Sequence, residues 1–142
     1  MKFFALCSTL ALVSSTTAVN LAWDDAYNDR AGSLNAVACS DGANGLETRF
    51  GFAVFGDIPT FPFVGGAPNI PGWNSSACGT CWALTFVNST GTHTINFTAI
   101  DAGGSDFVTG RVALDLLTNG QAEQLGVIPV NATAVNASAC GL

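Results

Sequence analysis

The stretch C-G-T-C-W, residues Cys78 to Trp82, constrains the fold most, because its two cysteines are separated by only two residues. This spacing occurs in redox dithiols, in halves of zinc sites, and where each cysteine pairs with a distant partner. A redox motif begins a helix, whereas the following residues W-A-L-T-F-V-N alternate in character and predict a strand. A zinc site needs four ligands, and the chain has no second Cys-x-x-Cys and a single histidine, His93. The motif therefore favours structural disulfides.

The N-terminus predicts export from the cell. Lys2 gives the N-terminus a positive charge, the apolar run 3–13 follows, and small residues occupy positions 16–18. This order is typical of a secretory signal, and the run is too short to span a membrane. We predict a signal peptide at residues 1–18, cut after Ala18, and one domain at 19–142. No later segment is long and apolar enough to span a bilayer, so we expect a soluble protein outside the cell.

Removal of the signal would take Cys7 away and leave four cysteines. They are Cys39, Cys78, Cys81 and Cys140. In an oxidising compartment four cysteines most simply form two disulfides. Spacing alone leaves three connectivities open. If Cys78 and Cys81 pair with distant partners, the loop-entropy estimate is roughly 4 kcal/mol for each bridge.

Charge excludes two classes of partner. The mature chain would hold three arginines, no lysine and ten acidic residues, a net charge of 3 − 10 = −7. So acidic a protein repels nucleic acid and anionic lipid. Sparse charge with abundant Gly, Ser, Thr and Asn is typical of a small secreted β domain.

Alternating patterns predict a mainly β domain. Leu84 and Phe86 alternate with polar or small residues, the turn N-S-T-G follows, and T-H-T-I-N-F-T-A-I completes a hairpin. In its second strand Asn96 and Thr98 are assigned to the polar face, and His93 to a solvated position in the turn. V-I-P-V-N-A-T-A-V, residues 127–135, predicts another strand.

Two other segments predict a helix and a loop. In residues 109–126, Val112, Leu116 and Leu117 have helical spacing, and Asn119 with Gly120 would cap the C-terminus. The proline- and glycine-rich residues 57–76 predict a long irregular loop.

Five blocks then carry a family resemblance. A-G-S-L-N-A-V-A-C-S-D-G-A-N-G-L, F-V-G-G-A-P-N-I-P-G-W-N-S-S-A-C-G-T-C-W, I-N-F-T-A-I-D-A-G-G-S-D-F, L-T-N-G-Q-A-E-Q-L-G and S-A-C-G-L occur in order. Together they resemble the cerato-platanins, small secreted fungal proteins. The resemblance implies a six-stranded double-psi β-barrel with one or two short helices and the disulfides Cys39–Cys78 and Cys81–Cys140. The Cys-x-x-Cys is then structural.

The same resemblance implies a function. Family members bind chitin oligomers, act on cellulose and chitin without evident hydrolysis, self-associate at interfaces and elicit host defence or immune responses. We therefore expect a non-catalytic, expansin-like protein of the fungal wall that binds chitin or other wall polysaccharides and has host receptors as further partners. No cofactor and no metal are expected. The alternatives are a weak glycoside hydrolase of the endoglucanase type and a surface-active, self-assembling protein.

Asp101 is the leading candidate site residue. It occupies the aspartate position of the family's A-I-D motif, which resembles the acid of the related endoglucanases. A glycosidase needs a second carboxyl group, and Asp24, Asp25, Asp29, Asp41 and Asp106 are in the chain without any fixed at that separation. We interpret Asp101 as a ligand for sugar hydroxyls; without the resemblance, a role at the strand end would be preferred.

Further sugar ligands are expected in two segments. L-A-W-D-D-A-Y offers Trp23, Asp24 and Tyr27, at a position similar to the family's Y-D-x-x-Y with Trp23 in place of the tyrosine. S-D-G-A-N-G-L offers Asp41 and Asn44. Aromatic rings and amides suit sugar binding, although aromatics are also common in cores. Trp82 is expected in the core, and Trp73 either covers the cysteine cluster or is partly exposed.

Five Asn-x-Ser/Thr sequons are candidate glycosylation sites. They are Asn74, Asn88, Asn96, Asn131 and Asn136.

Overall fold

Six strands close into a barrel in the computed structural model, which describes residues 15–142. They are β1 Thr16–Trp23, β2 Val64–Ala67, β3 Cys81–Asn88, β4 Gly91–Ala102, β5 Phe107–Thr109 and β6 Val127–Val135. Around the barrel the order is β1-β5-β2-β4-β3-β6, and β6 pairs with β1 to close it. The pairs β1/β5 and β2/β4 are parallel, and the others are antiparallel. The predicted six-stranded barrel is confirmed.

Three short α-helices and three 3₁₀ turns lie between the strands, and a fourth 3₁₀ turn follows β6. The helices are α1 Leu46–Phe50, α2 Arg111–Thr118 and α3 Ala122–Leu125. The 3₁₀ turns are Asp25–Asn28, Leu34–Ala36, Phe55–Asp57 and Ala137–Cys140. Asn119 ends α2 in the left-handed conformation and Gly120 follows it, so the predicted cap is confirmed.

The buried face of α2 includes only one of the three residues whose helical spacing predicted the helix. Leu117 is buried, but Val112 and Leu116 are 47% and 60% exposed. Ala113 and Leu114 take the inner positions. The segment V-A-L-D-L-L has apolar residues around most of the helix, so helical spacing fits more than one face. The docking of α2 against the barrel decides which face is buried, and the sequence pattern does not contain that information.

The hairpin β3–β4 and strand β6 bury the residues that alternation predicts, with two exceptions in β4. Thr98 is fully buried rather than polar-facing, and its hydroxyl lies 2.6 Å from that of Thr60. Residues 60–63 cover this part of β4, since Thr98 N–H also donates to Phe63 O. His93 is the third residue of β4 and lies opposite Phe86, because the turn itself is only two residues long.

The predicted loop at 57–76 contains β2, which the sequence did not reveal. Val64–Ala67 is fully buried and lies between β4 and β5. A strand of four residues with two glycines has no usable alternation. The glycines are required by packing: a Cβ at Gly65 would overlap the carbonyl oxygen of Val108.

Two disulfides join the barrel to its connections. Cys39 bonds Cys78 across 39 residues, and Cys81 bonds Cys140 across 59. Both predicted pairings are confirmed, and each half of C-G-T-C-W is bonded to a different part of the chain.

The predicted signal peptide lies mostly outside the described residues. Lys2, Cys7 and the apolar run 3–13 are not among them. Strand β1 begins at Thr16, where it pairs with Thr133, so cleavage after Ala18 would leave a strand that begins at Val19. Within residues 15–142 no helix has the length and hydropathy that a membrane span requires.

Candidate functional site

Tyr27 and Asp101 form the centre of the candidate site. Asp101 is near the end of β4, and Tyr27 lies in the 3₁₀ turn that follows β1. The phenol O–H of Tyr27 donates to Asp101 Oδ2 at 3.0 Å. The other carboxylate oxygen, Oδ1, accepts the backbone N–H groups of Ala38 and Ala102 at 3.0 and 2.8 Å. Asp101 is therefore a fixed acceptor with three protein donors.

Asp24 stands beside this pair. It caps the turn Asp25–Asn28 by accepting the N–H of Ala26 at 2.8 Å, and its own N–H donates to Thr109 O. Thr109 belongs to β5, which pairs with β1, so the parallel strand pair sets the position of Asp24. A carboxylate at the N-terminus of a helical turn is a favourable cap.

These three residues line one cavity of about 310 Å³. Phe55, Val37 and Ser33 complete much of its wall. The cavity thus combines two carboxylates, one phenol and one aromatic ring. The sequence offered Asp24 as a candidate ligand without fixing its separation from Asp101, and in the structure both residues line one cavity.

Phe55 is the wall residue that sequence reasoning missed. Its ring centroid lies 6.3 Å from that of Tyr27. Gly32 makes this position possible, since a Cβ there would come within 2.7 Å of the Phe55 ring. The chain has ten phenylalanines, and no sequence pattern distinguishes this one.

The environment of Tyr27 disfavours its ionised form. Burial raises the pKa of the phenol well above its usual range, and the neighbouring carboxylates of Asp101 and Asp24 raise it further. A phenolate here would be desolvated and would face negative charge.

We expect the folded protein to show no tyrosine ionisation at the usual pH of about 10. Because the folded pKa is raised, the stabilisation linked to Tyr27 is complete below the unfolded pKa and is lost as pH rises through the folded value. Tyr27 is the one tyrosine in the chain, so phenolate absorbance reports it alone. The urea-unfolded chain, the control, should titrate near the usual value. A normal midpoint in the folded protein would contradict the buried Tyr27–Asp101 contact.

The other predicted ligands lie outside this cavity. Trp23 is half-buried against the core, and its indole N–H donates to Ala122 O at 3.1 Å. Asp41 accepts the indole N–H of Trp73 at 2.7 Å. Asn44 is hydrogen-bonded to Asn74 through both its backbone and its side chain. The structure therefore brings together Asp101, Asp24 and Tyr27, and separates them from Trp23 and from the Asp41–Asn44 loop.

The two remaining tryptophans differ in exposure. Trp73 is 64% exposed. Trp82 is half-buried and packs edge-on against Phe107, with ring centroids 5.3 Å apart, close to its predicted core position.

The five sequons differ in accessibility. Asn96, Asn131 and Asn136 are exposed, whereas Asn74 and Asn88 are half-buried. The side-chain carbonyl of Asn74 accepts the backbone N–H of Asn44 at 2.9 Å, and the Asn96 amide donates to Ala139 O at 3.1 Å. Glycosylation stays a prediction at each position.

Fold and site together define a small double-psi β-barrel protein with two disulfides and an acidic, aromatic-walled surface cavity. The sequence profile of the cerato-platanin family matches residues 19–142, and the chain belongs to that family.

Individual relatives span nearly the whole chain. The heat-stable 19 kDa antigen of Coccidioides immitis is 41% identical over 140 residues, 99% of this chain and 90% of that protein. The crystal structure of cerato-platanin 2 from M. perniciosa superposes with a TM-score of 0.85 at 47% identity, covering 89% of this chain and all of that one. The solution structure of the fungal elicitor cerato-platanin gives 0.74 at 34% identity, over 86% and 96%.

Proposed function

We propose that the chain is a secreted, non-catalytic carbohydrate-binding protein of the fungal cell wall, which binds chitin oligomers in the Asp101 cavity. The observation that supports this is the fixed Asp101 carboxylate beside Tyr27 and the Phe55 ring. A carboxylate accepts hydroxyl or N-acetyl N–H groups of a sugar, and aromatic rings offer flat apolar surface. The Asp101 cavity is small, about 310 Å³, so a chitin oligomer would contact it through one or two sugar units.

A non-catalytic role fits the hydrogen bonds of Asp101. A general acid must carry a proton to the leaving group. Here three donors point at the carboxylate, which leaves it an acceptor while those contacts persist. We therefore propose binding, with expansin-like loosening of polysaccharide as its consequence.

Asp101→Asn is expected to weaken binding of a chitin tetramer by about tenfold or more, because a charge-assisted acceptor is lost. Calorimetric titration of the mature protein would measure it. Asp106→Asn is the matched control, since it removes the same charge from the next acidic position along the chain, and Asp106 does not line the cavity. Circular dichroism would verify that both variants fold. Absence of saturable heat with the wild type up to millimolar ligand would end the chitin-binding proposal.

Hydrolysis is the second candidate, favoured by the presence of Asp24 in the same cavity. It requires two carboxyl groups placed across the scissile bond. The test measures new reducing ends from a chitin or cellulose oligomer. If the wild type produces them and Asp24→Asn does not, the protein is a hydrolase and the non-catalytic proposal is wrong.

Recognition by other organisms is a further part of the proposal. Its support is the similarity to a protein named an antigen and to one described as a fungal elicitor. Host receptors are then the expected partners. Self-association is proposed on a different feature, the exposed apolar residues of α2, α3 and the start of β6, Val112, Leu116, Leu125 and Val127. Sedimentation of the mature protein over a concentration series would test it.

A further inference from the structure

A second groove, of about 720 Å³, lies where the Cys-x-x-Cys segment meets α1 and the end of β6. It has more than twice the volume of the Asp101 cavity, about 310 Å³, and shares no lining residue with it. No carboxylate side chain lines the groove, and Arg49 supplies its one charged group. In so acidic a chain, a groove with this charge is unusual.

Arg49 is held in position without being neutralised. Its Nη1 donates to Cys78 O at 2.9 Å, and its guanidinium lies 4.8 Å from the Phe50 ring centroid. Among the described residues no carboxylate comes within 4 Å of it, and Nε and Nη2 have no protein acceptor. A guanidinium with two free neighbouring N–H groups matches the geometry of a carboxylate.

The other two arginines both have carboxylates in their surroundings. Arg111 contacts the carboxylates of Asp25, Asp115 and Glu123. Arg30, like Arg49, reaches one backbone carbonyl and one phenylalanine ring, at 3.5 and 5.1 Å. Its cavity, however, is also lined by two aspartates. Of the three, Arg49 is the arginine whose surroundings favour an external anion.

The rest of the groove suits a sugar ring. Trp82 presents an aromatic surface, with its indole N–H already donated to Thr80 Oγ1 at 3.2 Å. Asn44 and Asn69 contribute amides, and Ser76 a hydroxyl. Asn44 donates its backbone N–H and one side-chain N–H to Asn74, and its side-chain carbonyl accepts no hydrogen bond from the described residues. Flat apolar surface with convergent amides and hydroxyls is typical of carbohydrate recognition.

We propose that this groove binds an acidic saccharide, a uronic-acid unit whose carboxylate is held by Arg49 while its ring lies on Trp82. The chemistry differs from that of the Asp101 cavity, where carboxylates would repel such a ligand. The strong negative net charge disfavours long polyanions, so the ligand is a short acidic segment. The protein then has two separate saccharide sites of opposite charge preference, and this second site does not depend on the first.

The test is a titration of the mature protein with trigalacturonate, in which binding is detected by nitrogen-15 NMR. We expect saturable shifts at the Arg49 Nε–H and the Trp82 indole N–H. Arg49→Gln should weaken binding by about tenfold or more, the range for a lost charge-assisted pair. Arg30→Gln, which makes the same charge change and loses the same kinds of local contact, should change it by less than about twofold. Asp101→Asn should leave it unchanged, which separates this site from the chitin proposal.

Two ligand controls address the chemistry. The fully methyl-esterified trimer retains the sugar rings and loses the charge, and it should bind about as weakly as Arg49→Gln binds the free acid. Acetate at equal carboxylate concentration should not saturate the site. The proposal is overturned if the ester binds as well as the acid, if acetate suffices, if Arg30→Gln weakens binding as much as Arg49→Gln, or if the Arg49 and Trp82 signals do not move.

Discussion

Replacing both Cys81 and Cys140 by alanine is expected to lower the free energy of unfolding by about 4 kcal/mol. The bridge joins the start of β3 to the last 3₁₀ turn across 59 residues, so its loss restores much conformational freedom to the unfolded chain. For a domain whose total stability is about 5–15 kcal/mol, this is a large fraction. Equilibrium unfolding in guanidinium chloride measures it.

The matched control is the pair Cys39→Ala and Cys78→Ala, which opens the shorter loop of 39 residues. Since loop entropy depends on the logarithm of length, the two double variants should differ by only a few tenths of a kcal/mol. Loss of less than about 1 kcal/mol from the Cys81–Cys140 variant would mean that the unfolded chain is already restricted there.

Gly65→Ala is expected to cost roughly 3 kcal/mol or more, because strand β2 has no room for a methyl group. Gly65 has a φ of 155°, and an added Cβ would overlap the carbonyl oxygen of Val108. That oxygen belongs to β5, whose backbone is paired to β1 and β2 and cannot withdraw locally. Thermal unfolding and urea titration would both show the loss.

Gly51→Ala separates the steric cost from the backbone cost. Gly51 ends α1 with a φ of 72°, and nothing lies within 4 Å of the position that a Cβ would take there. This variant should lose only about 1 kcal/mol, the cost of a left-handed alanine. Equal losses in the two variants would show that crowding at Val108 is not what requires glycine.

Elements with regular alternation could be predicted, and those set by tertiary packing could not. The hairpin around Leu84 and strand β6 have repeating patterns that survive in the structure. Strand β2 has none, because its glycines are chosen by contact with β5. The spacing of Val112 and Leu116 predicted the helix α2 but not its buried face, because Ala113 and Leu114 fit helical spacing as well.

The candidate site was predicted in the same partial way. The family resemblance implied that Asp101, Asp24 and Tyr27 are ligands of one groove. They meet because the 3₁₀ turn after β1 carries Tyr27 to Asp101 near the end of β4. Phe55 could not be found, since its approach to Tyr27 depends on the absence of a side chain at Gly32. The charge environment of Arg49 was likewise invisible, because it depends on which carboxylates fold elsewhere.

The closure of the barrel by its first and last strands has a consequence for synthesis. Strand β1 pairs with β5 and β6, so its ladder partners are made only after residue 106. The barrel therefore cannot close on a partly translated chain. Its closure also brings together residues that are far apart in the sequence, and this slows folding. The N-terminal strand must wait, unpaired, for most of the polypeptide to emerge. The Cys81–Cys140 bond also forms late, because Cys140 lies in the final 3₁₀ turn.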